Sequence, residues 1–212
     1  MIQVQVAAEH YGSSYHSPER YYRYIEQLRL IQSSSPRRVV EVGVGSGFVA
    51  RELRATGTRV CSVDIDPCLG PDCLGSVESL PLADGCCDVV SCCEVLEHLP
   101  FEKFSACLRE LARVTRDRAV VSLPNSLSVV RVEVSRGWSH PRRRRLLWSG
   151  SPFRAPQPHV FDGQHYWEVG KKGFPPERIA QVMRESGFDV LDSYRFPLNP
   201  YHHFFHLRKR PS

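Results

Sequence analysis

The stretch Arg38-Val39-Val40-Glu41-Val42-Gly43-Val44-Gly45-Ser46-Gly47-Phe48 decides the fold. After Arg38, Val39-Val40-Glu41-Val42 is a β-branched run broken only by Glu41, the composition of a buried strand. Three glycines at alternate positions then make a turn, and Phe48-Val49-Ala50-Arg51-Glu52-Leu53 opens a helix that Gly57 closes. Glycine in such a turn lets backbone approach a ligand closely, and the following helix presents N–H groups without intrahelical partners. A dinucleotide fingerprint needs glycine where Phe48 stands, and a phosphate-cradling loop needs Gly-Lys-Ser/Thr, which is absent. Glu41 repels a pyrophosphate and suits a ligand carrying an ammonium or a sulfonium. Asp64 ends the next β-branched run, 17 residues after Gly47. An acid at that place hydrogen-bonds both hydroxyls of a ribose. Cation plus ribose describes S-adenosylmethionine.

Outward from this loop, strand and helix signals alternate. Thr58–Val63, Cys87–Cys92 and Ala119–Leu123 read as strands, with a loop rich in Pro, Gly and Cys running from Asp64 to Leu82. Phe101–Arg116 is amphipathic, with Phe104, Cys107, Leu108, Leu111 and Val114 on one face. Pro175–Ser186 reads as a helix stopped by Gly187. Phe188–Leu191 and His203–Leu207 are late strands separated by Pro197, Asn199 and Pro200 rather than by a helix, which predicts an antiparallel pair at one edge. Upstream, Ser17-Pro18 starts a helix with Tyr21, Tyr24, Ile25, Leu28 and Ile31 at helical spacing, inside an N-terminal helical segment over 1–35. The alternation predicts an α/β, Rossmann-like sheet, mostly parallel, with helices on both faces, and one domain over 1–212. Residues 126–173 break the pattern with scattered prolines, Arg142–Arg145 and three tryptophans. A segment this long reads as a lid or acceptor-binding insertion.

The bulk numbers agree. The chain has 212 residues, 28 Lys+Arg against 23 Asp+Glu for a net charge of +5, and 42% hydrophobic and 24% charged residues. This excludes a disordered or fibrous protein. No apolar run reaches the ~20 residues of a membrane span, and the N-terminus lacks the pattern of a signal peptide. A cytoplasmic location is expected. The cysteines are Cys61, Cys68, Cys73, Cys86, Cys87, Cys92, Cys93 and Cys107, with no C-x-x-C pair. They read as free thiols in a reducing compartment rather than as metal ligands.

Three segments in order carry a resemblance: Glu41–Gly47, Leu80-Pro81-Leu82-Ala83-Asp84, and Glu94-Val95-Leu96-Glu97-His98. With Asp64 between them, the chain from about Pro36 to Leu123 resembles the class I S-adenosylmethionine-dependent methyltransferases, particularly their broad small-molecule group. The resemblance implies a seven-stranded mixed sheet with six parallel strands and one antiparallel, and the cofactor over the C-terminal ends of the first strands. It implies that Glu41, Gly43, Gly45 and Gly47 hold the methionine part, that Asp64 takes the ribose and that Ile65 lies beside the adenine. In Gly75-Ser76-Val77-Glu78, Ser76 and Val77 fall at the adenine-binding stretch. Ser76 replaces the acid usual there and forgoes one charge-assisted bond. Cys93 and Glu94 fall near the methyl group and the methionine end, whereas Cys92 reads as strand packing.

The acceptor is less legible. Methyl transfer from a sulfonium is in-line, and a base is needed only when the acceptor bears a high-pKa proton such as a hydroxyl. Ser122-Leu123-Pro124-Asn125 ends a strand on the ligand rim and is not the Asn/Asp-Pro-Pro-aromatic motif of many nucleobase and glutamine N-methyltransferases. Asn125, His159 and Trp167 are candidate pocket residues, and His165 is the candidate general base because imidazole titrates near neutral pH. His159, Asp162 and His165 could instead bind a metal, or the segment could be plain lid, and no metal is assigned. Arg142–Arg145 and Arg208-Lys209-Arg210 are basic clusters, solvated or attracting an anion. The expected function is methyl transfer to a small-molecule or saccharide- or lipid-linked acceptor at oxygen. RNA methylation and a non-catalytic cofactor-binding relative are the alternatives. Oligomeric state does not follow from the sequence.

Overall fold

The structure, a computed structural model, describes residues 6, 8–12, 15–136, 142–149 and 155–211. Nine strands and four α-helices are described: β1 (Arg38–Val42), β2 (Arg59–Asp64), β3 (Cys73–Leu74), β4 (Cys87–Cys93), β5 (Thr115–Pro124), β6 (Val129–Arg136), β7 (Arg142–Ser149), β8 (Phe188–Arg195) and β9 (His202–Lys209), with α1 (Pro18–Gln32), α2 (Phe48–Ala55), α3 (Phe104–Val114) and α4 (Pro176–Glu185). Seven strands form one sheet in the order β3-β2-β1-β4-β5-β9-β8. The first five are parallel, and β9 runs antiparallel to both its neighbours, β5 and β8. This is the expected Rossmann-like mixed sheet. β3 falls inside the stretch read as a loop, because two residues carry no detectable alternation.

Period-two alternation divides the core between the two faces of the sheet. Val40, Val90, Val121 and Phe205 face one way, against α3 and α4. Their neighbours Val39, Val89, Val120 and Phe204 face the other way, against α1 and α2. The five apolar positions predicted on α3 are all fully buried. In α1 the buried stripe is rotated from expectation. Tyr24, Gln27, Leu30 and Ile31 are buried while Tyr21 and Ile25 are exposed. The cause is polar: Gln27 Nε2 donates to Ser91 Oγ at 2.9 Å, and Tyr24 stacks on Phe48 with ring centroids 4.9 Å apart. Ser17 caps α1 as expected, accepting from Arg20 N–H.

Within 126–173, β6 and β7 pair with each other in a separate two-stranded sheet, and β7 begins at the arginine run. From Ala155 the chain returns to the main sheet, where Val169 N–H donates to Pro124 O at 3.0 Å. No helix among the described residues is long and apolar enough to cross a membrane.

Candidate active site

Parallel strands bring their C-terminal ends to one rim, the usual ligand crevice of such sheets. Gly43 follows β1, Asp64 ends β2, Cys93 and Glu94 end β4, and a cavity opens between them. The glycine loop closes one side. Gly43 adopts φ +87°, and a Cβ there would lie 2.4 Å from Val95 Cγ2, so the crossing of this loop with the segment after β4 requires glycine. Gly47 has φ +66° and caps α2.

Of the acids that line the cavity, Glu41, Asp64 and Glu94 are in three different states. Glu41 is buried. Its carboxylate takes a hydrogen bond from the Ala50 amide in the first turn of α2, and Oε2 has no partner. Burial pushes its carboxyl from the ordinary 4.5 up to about 8. Asp64 is fixed by backbone: Oδ2 accepts from Val44 N–H at 2.7 Å and Oδ1 from Asp66 N–H at 3.0 Å. Glu94 sits at φ +57°, a left-handed conformation that costs energy in a non-glycine residue. Its N–H donates to Ser122 O at 3.0 Å, its Oε1 accepts from Ser122 Oγ at 2.8 Å, and His202 Nδ1 lies 3.1 Å from the same oxygen. Burial opposes the charge of Glu94, but His202, Arg23 and Ser122 outweigh it and hold the carboxyl down at about 2. Cys93 is the opposite case: burial pushes its thiol up to about 12, so it is no thiolate at neutral pH.

The N-terminal segment covers the crevice. Tyr11 packs on Gly45, Tyr24 and Ser46 hydroxyls meet at 3.0 Å, and Arg23 Nη2 donates to Tyr15 OH at 3.1 Å. Arg23 Nε is buried without a partner.

The far wall is built by the turn after β4 and the segment that returns from 155. Tyr166 N–H donates to Glu97 O at 2.8 Å, and Trp167 Nε1 donates to Leu99 O at 3.0 Å. Trp167 is fully buried among Phe101, Phe104 and Phe174. His98 lines the cavity, and its ring centroid is 5.1 Å from that of His165. His165 Nδ1 is 3.0 Å from Glu168 Oε1. Burial lowers the pKa of His98; it acts on His165 too, where Glu168 outweighs it and the net shift is upward. Glu97 is fully buried, and burial, with Glu94 and Glu168, raises its carboxyl well above the usual range.

Comparison with known proteins gives one matching family model and a set of similar folds. Residues 40–123 match the family model described as a methyltransferase domain. That segment, 84 of the 212 residues, is thus similar to a methyltransferase domain. No curated protein sequence matches it significantly. Its fold is that of several solved structures. The Burkholderia thailandensis 1,6-didemethyltoxoflavin-N1-methyltransferase, solved with S-adenosylhomocysteine, superposes with a TM-score of 0.61 at 18% identity, covering 92% of this chain and 80% of that one. The N-methyltransferase NodS of Bradyrhizobium japonicum gives 0.59 at 13%, covering 92% and 89%. The magnesium protoporphyrin IX methyltransferase of Synechocystis gives 0.57 at 15%, covering 90% and 83%.

Of the residues read from the sequence, Glu41, Gly43, Gly45, Asp64, Ile65, Val77, Cys93 and Glu94 all line the cavity. Gly47 acts through its cap, and Ser76 Oγ accepts from Glu78 N–H at 3.2 Å in a turn beside Val77. Asn125 bonds His203 Nδ1 at 3.1 Å and Leu127 N–H at 3.0 Å, Trp167 is core, and His159 Nε2 donates to His165 O at 2.8 Å. None of these three is among the residues lining the cavity. His165 stands behind His98. Arg23, Tyr11 and His98 were not singled out as site residues. Only the Glu-x-x-Glu-His spacing hinted at His98, and nothing local marked the N-terminal pair.

Proposed function

We propose that this protein moves the methyl group of S-adenosylmethionine to the oxygen of a small-molecule or saccharide- or lipid-linked acceptor. The reading rests on one observation: a buried carboxylate oxygen of Glu41, without a partner, in the same cavity as Asp64. A positive charge brought to Glu41 offsets its desolvation, and the orientation of Asp64 by two backbone amides leaves each oxygen a lone pair for a hydroxyl. Arg23, with its unpartnered Nε, suits the carboxylate of the methionine part. The glycines 43, 45 and 47 bring backbone against it, Ile65 and Val77 flank the adenine, and Cys93 with Glu94 stands at the methyl end. S-adenosylmethionine supplies an electrophilic methyl whose leaving group is neutral, so the residues need mainly to align the acceptor and keep water out.

The oxygen assignment rests on the wall at His98 and His165. A hydroxyl must lose its proton as the methyl arrives, and His98, on the cavity wall and backed by His165, offers an imidazole on that side. Leu123-Pro124-Asn125 lacks the motif expected for a nucleobase or glutamine amide. The test is calorimetry with S-adenosylhomocysteine. Micromolar-range binding by the wild type, weakened in Asp64→Ala, is the expected result, and absence of wild-type binding sinks the reading. Labelled-cofactor assays across hydroxyl and amine acceptors then separate oxygen from nitrogen.

A further inference from the structure

We propose that Glu97, His98 and His165 form a binding site for one divalent first-row cation, of the Mn²⁺, Co²⁺ or Zn²⁺ class, on the acceptor wall. The ligand atoms these three residues offer all lie within 4.8 Å of one another, and Asp162 and Glu168 make a second such group with His165. Two imidazoles and a carboxylate are the donor set that borderline divalent ions take.

The side chains are prepared for this. His98 Nδ1 lies 3.1 Å from Gln164 O, a carbonyl that only accepts, so Nδ1 carries the proton and Nε2 the lone pair. His165 Nδ1 faces Glu168 Oε1 at 3.0 Å, with the same consequence. An outer oxygen that fixes the tautomer and orientation of a ligating imidazole is the regular second layer of a metal site. Glu97 is the independent observation. It is 0% exposed, and neither carboxylate oxygen finds a hydrogen-bond partner. Burying a carboxylate without partners is costly, and a bound cation offsets that cost. One backbone and one side-chain hydrogen bond also hold the two pieces together. The one-turn helix carrying Glu97 and His98 is bonded to the returning segment through Tyr166 N–H and Trp167 Nε1.

His159, read from sequence as a possible ligand, is not in either group; its Nε2 is used on His165 O. Asp162 Oδ1 accepts from the amides of Gln164 and His165 at 2.9 and 2.8 Å, which shapes the loop. His98 belongs to both the cluster and the cavity wall, so an ion here would lie where an acceptor hydroxyl comes in and would lower its pKa. That use of the ion, though not the site itself, rests on the reading under Proposed function.

The experiment titrates Mn²⁺ into the full chain and follows loss of the free-ion paramagnetic resonance signal. Saturation at one ion per chain is expected, with binding lost in His98→Ala and His165→Ala and a higher unfolding midpoint for the wild type with Mn²⁺. Glu168→Gln removes only the outer partner of His165. It gives the answer should the alanine variants not fold, with affinity expected to fall about 10–100-fold. No saturable binding by the wild type, or binding unchanged in these variants, overturns the site. S-adenosylhomocysteine is titrated into the same samples. Mn²⁺ binding without nucleoside binding upholds the site and sinks the methyl-transfer reading; the reverse upholds that reading and sinks the site.

Discussion

The two sides of the crevice are built differently. The side around Glu41 and Asp64 is made by strand ends and one glycine turn, so its residues lie within short contiguous runs and regular backbone places them. The side around Glu97, His98 and His165 joins a turn after β4 to a segment more than 60 positions further on, held by Tyr166, Trp167 and Glu168. Backbone geometry fixes the first side; side-chain packing fixes the second. Substitutions should therefore cost affinity on the first side and stability on the second.

The sharpest break is Trp167→Ala. Its indole is fully buried and gives its N–H to Leu99 O. Denaturant unfolding should show a loss of about 3–5 kcal/mol, and a loss below 1 would mean that the far wall does not depend on this packing. Next is Glu41. With its carboxyl at about 8 in the fold against the ordinary 4.5, the folded chain keeps a proton that the unfolded chain has released. Stability of the ligand-free protein should therefore fall as pH rises from about 4.5 through about 8, by on the order of a few kcal/mol. Arg54, Asp64 and Asp72 also act on this group. Glu41→Gln should flatten this part of the curve, and a parallel decline in the variant would assign it elsewhere.

Asp64→Asn keeps the shape and loses the charge. S-adenosylhomocysteine affinity should drop by about 1.5–3 kcal/mol, the worth of hydrogen bonds to a charged group, with a much smaller change in unfolding midpoint. Equal losses in both would blur the contrast between the two sides. Gly43→Ala adds a Cβ at φ +87° and should cost about 1–2 kcal/mol from the left-handed backbone alone, more where Val95 cannot yield. The smallest effect belongs to the rim. Lys103 Nζ and Glu78 Oε2 are 2.9 Å apart, with side chains 48% and 38% exposed, and Lys103→Ala should change stability by at most about 1 kcal/mol.

The same contrast explains what could be read from the chain. Val39/Val40, Val89/Val90 and Val120/Val121 are adjacent apolar pairs, the continuous run of strands buried on both faces, and such runs need no tertiary information, so the sheet was legible. The acids at 41 and 64 were legible because strand ends converge in any such sheet. Trp167 is a pocket candidate in the sequence and a core residue among Phe101, Phe104 and Phe174 in the structure, because aromatic character marks a core position and a binding position alike. Arg23 was invisible for a related reason. The buried stripe of α1 was read from apolar residues, whereas Gln27 and its bond to Ser91 set the rotation.

Tyr11 against Gly45 and Tyr24 against Ser46 have a kinetic meaning. In the proposed binding mode, nucleoside leaving past the glycine turn would part those aromatic contacts. On that reading Tyr11 and Tyr24 would set the pace of exchange: loosening them should speed release of product while the chemistry under them keeps its own rate.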